Sequence, residues 1–473
     1  VAVAEPQWLH EYSKHQASRR MISRIRTYLT GEGLGPTLVK AVTGSAGLRI
    51  AGMGFSFLVG VQLARGLGAE GYGIYGVAMS IIALLTVPTE FGLPQLLTRE
   101  VAAAQVKQDW GRMKGILRWA TRTSLWLSVV VAIGLLIWLW LSGRGIGSML
   151  GLTLLVGVLM IPVAAQVSLQ AAALRGLQQI VRGQLPDVVL RPAFYSLLLF
   201  LVPLWLAPLT PALGMALGAV SACLALLVVL VMLKKALPGQ VADADPVMEV
   251  RGWWSSALPM ALTEGMRLLQ GHVLILLLGI MVAMSDVGIY RMATSMTLLI
   301  AMPISLFNIV GMPIIARLHA VGDRVRLQRL LGLTAAGMTL GVAALVLPFL
   351  LQGEWILTKV FGAEFAEGNV ILLVLCGSVL VNAMFGIAAG LLNMTGCQKQ
   401  VTHASFAALI CLLTLSYPLI HVFGLMGAAI SHVVSTLVWN LIMWMAARDR
   451  LKLDASLLAF PSRGSARAGH GMG

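Results

Sequence analysis

Charge is what this sequence has least of. Only 11% of its 473 residues are Asp, Glu, Lys or Arg, against roughly a quarter in a water-soluble domain whose surface must face solvent. With 58% hydrophobic residues and a mean hydropathy of +0.87, a soluble globular fold is excluded. Cysteine is scarce too. Cys223, Cys376, Cys397 and Cys411 have no C-x-x-C spacing and three lie in apolar runs, which argues against a disulfide framework or a structural metal site. Also missing are a phosphate-binding G-x-x-x-x-G-K-[ST] loop, an H-E-x-x-H zinc pair and a G-x-S-x-G nucleophile elbow. The expectation is a protein that is not an enzyme, with no catalytic residues, no cofactor and no metal. The first 40 residues are polar and basic, without the short apolar core of a cleavable signal peptide, so the first span is expected to act as an uncleaved insertion signal.

What is abundant is apolar sequence in runs of about 20 residues, the length that crosses a bilayer core as a helix. Twelve are read, at 43–64, 72–97, 117–141, 148–173, 187–207, 211–233, 253–281, 287–316, 331–351, 368–393, 401–421 and 424–446. Pro88 and Pro94 fall in the second and Pro303 and Pro313 in the eighth, so kinks are expected there. Stretch 352–368, with Glu354, Glu364 and Glu367, reads as the largest loop on its side, too short to build an active site.

The 34 Lys and Arg outnumber the 19 Asp and Glu, a formal charge of +15. In a soluble protein that excess would suggest nucleic acid, but here the bases sit beside apolar runs and no basic stretch is interleaved with aromatics, so no nucleic-acid partner is expected. About 27 of the 34 fall on one set of alternate connections and tails, and only Arg65, Arg144 and Lys359 on the other. By the positive-inside rule the rich side is cytoplasmic, which places both termini there and gives an even number of spans. The basic residues then meet anionic membrane lipids.

The runs divide around a polar, proline-containing stretch. The organisation read is a cytoplasmic N-terminal tail at 1–42, a six-helix bundle at 43–233, a cytoplasmic linker at 234–252, a second six-helix bundle at 253–446 and a cytoplasmic C-terminal tail at 447–473. The halves echo each other. Gly73-Ile74-Tyr75 matches Gly288-Ile289-Tyr290, and at the same offset Ala78 and Ser80 fall on Ala293 and Ser295, and Pro88 on Pro303. Because each half has six spans, both have the same orientation in the membrane, and a pseudo-twofold along the membrane normal should relate them. The fold class expected is all-α and integral to the membrane: about 12 transmembrane helices in two bundles, with a cleft between them and alternating access by rocking.

The stretch Leu63-Ala64-Arg65-Gly66-Leu67-Gly68-Ala69-Glu70-Gly71-Tyr72-Gly73-Ile74-Tyr75, continuing through Phe91-Gly92-Leu93-Pro94-Gln95 to Arg99-Glu100, resembles the opening helices of the Wzx-type polysaccharide flippases. Gly288-Ile289-Tyr290-Arg291-Met292-Ala293 is similar to that family as well. The family lies within the multidrug/oligosaccharidyl-lipid/polysaccharide exporter superfamily, so the resemblance implies a MATE-like fold. It also implies a flippase that moves undecaprenyl-pyrophosphate-linked oligosaccharide across the bacterial cytoplasmic (inner) membrane for O-antigen, lipopolysaccharide, capsule or exopolysaccharide assembly. The polymerase and chain-length regulator of such a pathway are the further partners it implies. Two alternatives stay open: a cation-coupled multidrug exporter of the same superfamily, and a membrane polymerase or transferase of the same pathway. More Arg than carboxylate within the spans favours an anionic cargo.

An arginine at the bilayer centre costs roughly 2.5–3.5 kcal/mol on insertion scales, so a retained one should face a cavity, pair or snorkel. Arg49, Arg267 and Arg291 lie at successive depths and are the candidate substrate-binding residues, cationic stations for the pyrophosphate that the resemblance implies. Each has a plainer reading: snorkelling for Arg49, as for Arg191, a Glu264 pair for Arg267, and a headgroup anchor for Arg291. Glu90 and Glu264 are the ion-coupling candidates, with a salt bridge from Glu90 to Arg49 as the duller option. His272 and Asn440 are expected to be interhelical hydrogen-bond partners, and Tyr72, Tyr75 and Tyr290 to mark the outer interface.

Overall fold

The computed structural model describes residues 34–142, 147–205 and 208–457, with side chains from residue 44 onward and none at 203–205. Most of both tails, and Arg144, lie outside the described residues. Among those described there is helix and no strand.

Eleven helical stretches are long and apolar enough to cross a membrane. The first, Gly44–Lys107, has 64 residues, about three times what a bilayer core needs at 1.5 Å per residue. It is a hairpin. Helix α1 (Leu34–Glu90) is broken at Gly68, whose φ of +67° and ψ of 179° end the first arm, and α2 (Leu93–Lys107) follows after Phe91 and Gly92, both at positive φ. Gly44 lies against Val181, and Gly176 against Thr98 and Val101, so residue 44 and residues 98–101 occupy the same end of the bundle and the chain reverses near Gly68. Counting that stretch as two crossings gives the twelve expected.

The first lobe continues with α3 (Trp110–Leu141), α4 (Met149–Gly157), α5 (Met160–Gly176), α6 (Ile180–Leu185), a π-turn at Pro186–Leu190, α7 (Arg191–Trp205) and α8 (Pro211–Ala236). The second consists of α10 (Val250–Met281), α11 (Met284–Ile300), α12 (Met302–Val321), α13 (Arg324–Val360), a 3-10 turn (Ala363–Gly368), α14 (Asn369–Met384), α15 (Ala388–Met394), α16 (Gln398–Phe423) and α17 (Leu425–Leu451). The long helices bury one face and leave bulky apolar side chains such as Trp126, Ile133 and Leu340 exposed, as lipid-facing surfaces require. The expected kinks appear as breaks, at Phe91-Gly92 after Pro88 and at Ala301 before Pro303.

The stretch expected as a loop at 352–368 is a correction. Helix α13 runs through it to Val360 with only a bend at Gln352, and the 3-10 turn takes up the rest. A helix needs no change of residue type to project beyond the apolar core, so polarity alone marks where the bilayer ends and not where the helix does.

The linker between the lobes is docked. Short α9 (Gln240–Asp243) precedes an extended run whose Val247 N–H donates to Gly111 O at 3.0 Å, while Lys114 Nζ donates to Ala242 O and Ala244 O. A Cβ on Gly115 would stand 1.9 Å from Val247 O, so only glycine admits the linker this close. Trp253 and Ala257, at the start of α10, are buried in the first lobe's cluster with Trp119, whose ring centroid lies 5.2 Å from that of Trp253.

The lobes meet along the second arm of α1 and α11. A Cβ on Gly73 would lie 1.8 Å from Met284 O, and a Cβ on Gly288 would lie 1.9 Å from Ala69 O. Residues 69 and 284, and 73 and 288, are counterparts in the repeat, so the contact is reciprocal and lies on the pseudo-twofold axis.

Candidate functional site

Between the lobes lies a cavity of about 600 Å³. The first arm of α1 contributes Arg49, Ser56 and Phe57; Arg175, Gln184 and Asp187 come from α5, α6 and the π-turn; Ser295 and Ser305 come from α11 and α12. These residues fall between mid-depth and the end that carries Arg99, Lys107, Arg112 and Arg122, here called the basic end. At its inner limit Phe57 meets Phe361 edge-on, with centroids 6.0 Å apart.

Arg49 lines this cavity and is exposed to it, with no ion pair among the described residues. Its salt bridge to Glu90 does not form. Arg175, counted from sequence among connection residues, sits in the last turn of α5 and also lines the cavity, donating from Nη1 to Gly183 O at 3.2 Å. Its proximity to the apolar run Val167–Leu174 was the signal for it, masked by Gly176 and the polar residues that follow. Arg191 pairs with Asp187 at 3.5 Å.

Arg175 borders a second cavity as well, of about 190 Å³, lined by Glu90, Gln95, Ser168 and Glu264. The two coupling candidates therefore share one small chamber, and Arg175 stands between it and the main cavity. Glu264 accepts hydrogen bonds from Arg267, whose side chain is 67% exposed. Arg267 borders neither of these two cavities.

Arg291 is drawn elsewhere. Its guanidinium lies 5.2 Å from the ring centroid of Tyr72 and 5.1 Å from that of Tyr75, and Nη1 donates to Gly76 O at 3.3 Å. Nε is buried without a partner. The tyrosines are a correction: Tyr72, Tyr75 and Tyr290 are no more than 3% exposed and do not mark an interface. Their rings fill the lobe contact that glycines open, and the Tyr75 hydroxyl is satisfied by Tyr195 at 3.1 Å. His272 Nδ1 lies 3.1 Å from Ser80 Oγ across the lobes, and Asn440 donates to Thr436 O within its own helix. Among the described residues no group of His, Cys, Asp and Glu is placed to hold a metal ion.

The arrangement is a cation-bearing cleft between two helical lobes, closed at one end. Its fold is similar to that of an inward-facing multidrug resistance MATE family transporter of the MOP superfamily, at 16% identity and a TM-score of 0.68, over 86% of this chain and 98% of that one. It is also similar to the MATE multidrug transporter DinF-BH, at 14% identity and a TM-score of 0.62, over 89% of this chain and 96% of that one. A MOP superfamily transporter of Pyrococcus furiosus, described as having a binding pocket of reverse polarity, matches at 15% identity and a TM-score of 0.60, over 90% of this chain and 97% of that one. No curated protein matches the sequence. A model described as "Polysaccharide biosynthesis protein" matches residues 38–319, more than half of the chain, and the chain belongs to that family.

Proposed function

We propose that this protein is a flippase carrying undecaprenyl-pyrophosphate-linked oligosaccharide from the inner to the outer leaflet of a bacterial cytoplasmic membrane, and that it is not an enzyme. One observation carries the reading: in a chain of a polysaccharide biosynthesis family, the cavity between the lobes holds Arg49 and Arg175, which among the described residues are, respectively, without an ion pair and held by a backbone carbonyl. A guanidinium presents a planar fork of donors that matches two phosphate oxygens. The basic end is the cytoplasmic one, so this cleft faces the leaflet where the cargo is made. The pyrophosphate enters between Arg49 and Arg175 while its polyprenyl tail stays in the bilayer. Arg267, paired with Glu264 of the acidic chamber, and Arg291, under the tyrosines, complete the cationic path only if the lobes move relative to each other.

The acidic chamber supports the coupling part of the proposal and also favours a second reading. Glu90 and Glu264 facing one space suit a proton or sodium ion that drives the cycle. A cation-coupled multidrug exporter would use the same pair. Loss of the gene in its native host separates the two. A flippase loss traps short lipid-linked units on the cytoplasmic leaflet, assayed by their protection from an external glycan-modifying reagent. An exporter loss raises sensitivity to cationic dyes and leaves the glycan intact; that outcome would sink the flippase reading.

A further inference from the structure

At the end opposite the basic one, the two lobes cap each other's helices. Arg65, in the last turn before the Gly68 break, donates from Nε to Val360 O at 2.7 Å and from Nη2 to Lys359 O. Those are terminal carbonyls of α13, which the helix itself leaves unpaired and slightly negative. In return, Glu364 from the 3-10 turn accepts from the Ala69 N–H at 2.7 Å. Ala69 is the first residue of the second arm of α1, and its N–H is one of the unpaired donors at a positive helix end. A basic side chain of the first lobe thus closes a helix C-terminus of the second, and an acidic side chain of the second closes a helix N-terminus of the first.

Gly68 makes the crossing fit. Its positive φ ends one arm and starts the next, and a Cβ there would stand 3.0 Å from Glu364 Oε2. Beneath the polar caps lies an apolar floor: Phe57 against Phe361, and Tyr72 against Phe365 with centroids 6.3 Å apart. Phe57 also lines the main cavity, so this floor and the caps above it are what separate the cavity from the far side of the protein.

We propose that Arg65 and Glu364 form a latch that holds the far mouth of the cavity shut, and that its release is the step that opens the cavity to the outer face. The proposal rests on the transport reading for its purpose, but its test needs no cargo. All three bonds are charge-assisted, and the Arg65 and Glu364 side chains that make them are exposed, so they are strong enough to bias a two-state opening and weak enough to break within a cycle.

The test uses the full chain with its four cysteines replaced and a single reporter, Ser56→Cys, in the cavity wall. Sealed vesicles of known orientation are treated from either face with a membrane-impermeant maleimide. With the latch intact, labelling from the outer face is slow. In Arg65→Gln/Glu364→Gln, outer-face labelling accelerates on the order of tenfold, while labelling from the basic face holds or falls. An unchanged outer rate in a variant that still labels from the basic face overturns the latch. Should the double variant not fold, Arg65→Lys and Glu364→Asp are read singly, and each is expected to give an intermediate acceleration; wild-type rates in both overturn it equally. Normal latch behaviour in a protein that moves no lipid-linked glycan would refute the flippase reading alone.

Discussion

Arg291 rests on its own counterpart. In the register that pairs Gly73 with Gly288, residue 291 matches Gly76, and a Cβ built on Gly76 would stand 2.7 Å from Arg291 Cδ. One half supplies a long cation and the other the empty space it fills, with Tyr72 and Tyr75 stacked beside the guanidinium. Gly76→Ala should therefore destabilise the protein by about 1–3 kcal/mol through overpacking. In an Arg291→Ala background the same change should cost far less. Unfolding midpoints of the four proteins in one detergent give the cycle, and additive effects would show that the two residues do not share the space.

The Gly73 and Gly288 contact predicts a sharper loss. A methyl at either position meets a backbone carbonyl that no rotamer change can move. Gly73→Ala and Gly288→Ala should each lower the unfolding midpoint, and the double variant should lose less than the sum, because the first change already separates the helices. Substitution at Gly134, which has open space around it, is the matched control and should be nearly silent.

Arg49→Gln and Arg175→Gln should each reduce transport of lipid-linked glycan about tenfold or more, taking roughly 1.5–3 kcal/mol for a charged hydrogen bond to the cargo. Membrane insertion should stay normal. Arg267→Gln should have a smaller effect, since its side chain is largely exposed and already paired with Glu264. Surface glycan measured against protein level in the membrane checks all three, and equal activity across the set would remove the cationic cavity from the mechanism.

The segment after α17 gives a pH dependence. Burial works against ionisation of Asp454, but bonds from the Ser456 hydroxyl and N–H and from the Trp444 indole, with the Arg448 charge, hold its carboxyl below the ordinary 3.8. Its backbone pairs twice with Gln328, which fastens the segment across the start of α13. A folded-state value below the unfolded one means that its contribution is complete above about pH 4 and is lost as pH falls through the lower, folded value. Asp454→Asn should loosen the segment at neutral pH and remove that acid-dependent step. Hydrogen exchange at 452–456 reports it, and identical protection in both proteins would discount the carboxylate.

Much of this architecture was legible because a bilayer imposes a single length on apolar runs, and all twelve spans follow from it. The repeat was legible because Gly73-Ile74-Tyr75 and Gly288-Ile289-Tyr290 sit where backbones touch, so little else fits there. The site was less so. Arg49 reaches the cavity as its depth suggested, but Arg175 lies one turn from a helix end, where a lining residue and a headgroup anchor have the same sequence context. Tyr72 and Tyr75 looked interfacial because aromatic hydroxyls favour headgroups; nothing in one helix reveals that a second lobe will cover it. Arg65 and Glu364 are far apart in sequence and only the assembled lobes bring them together.

The reciprocal fit of Gly73 and Gly288 bears on origin. Each half presents one glycine at the point where the backbone of the other half passes, in the same membrane orientation. Such a reciprocal contact is the kind by which two identical six-helix units would pair about a twofold, and the docked linker keeps the two in one chain. Arg291 facing Gly76 is what such a fusion permits: once the two copies share one chain, opposite positions on the axis are free to diverge, and a cation that would repel its twin can settle against a bare backbone instead.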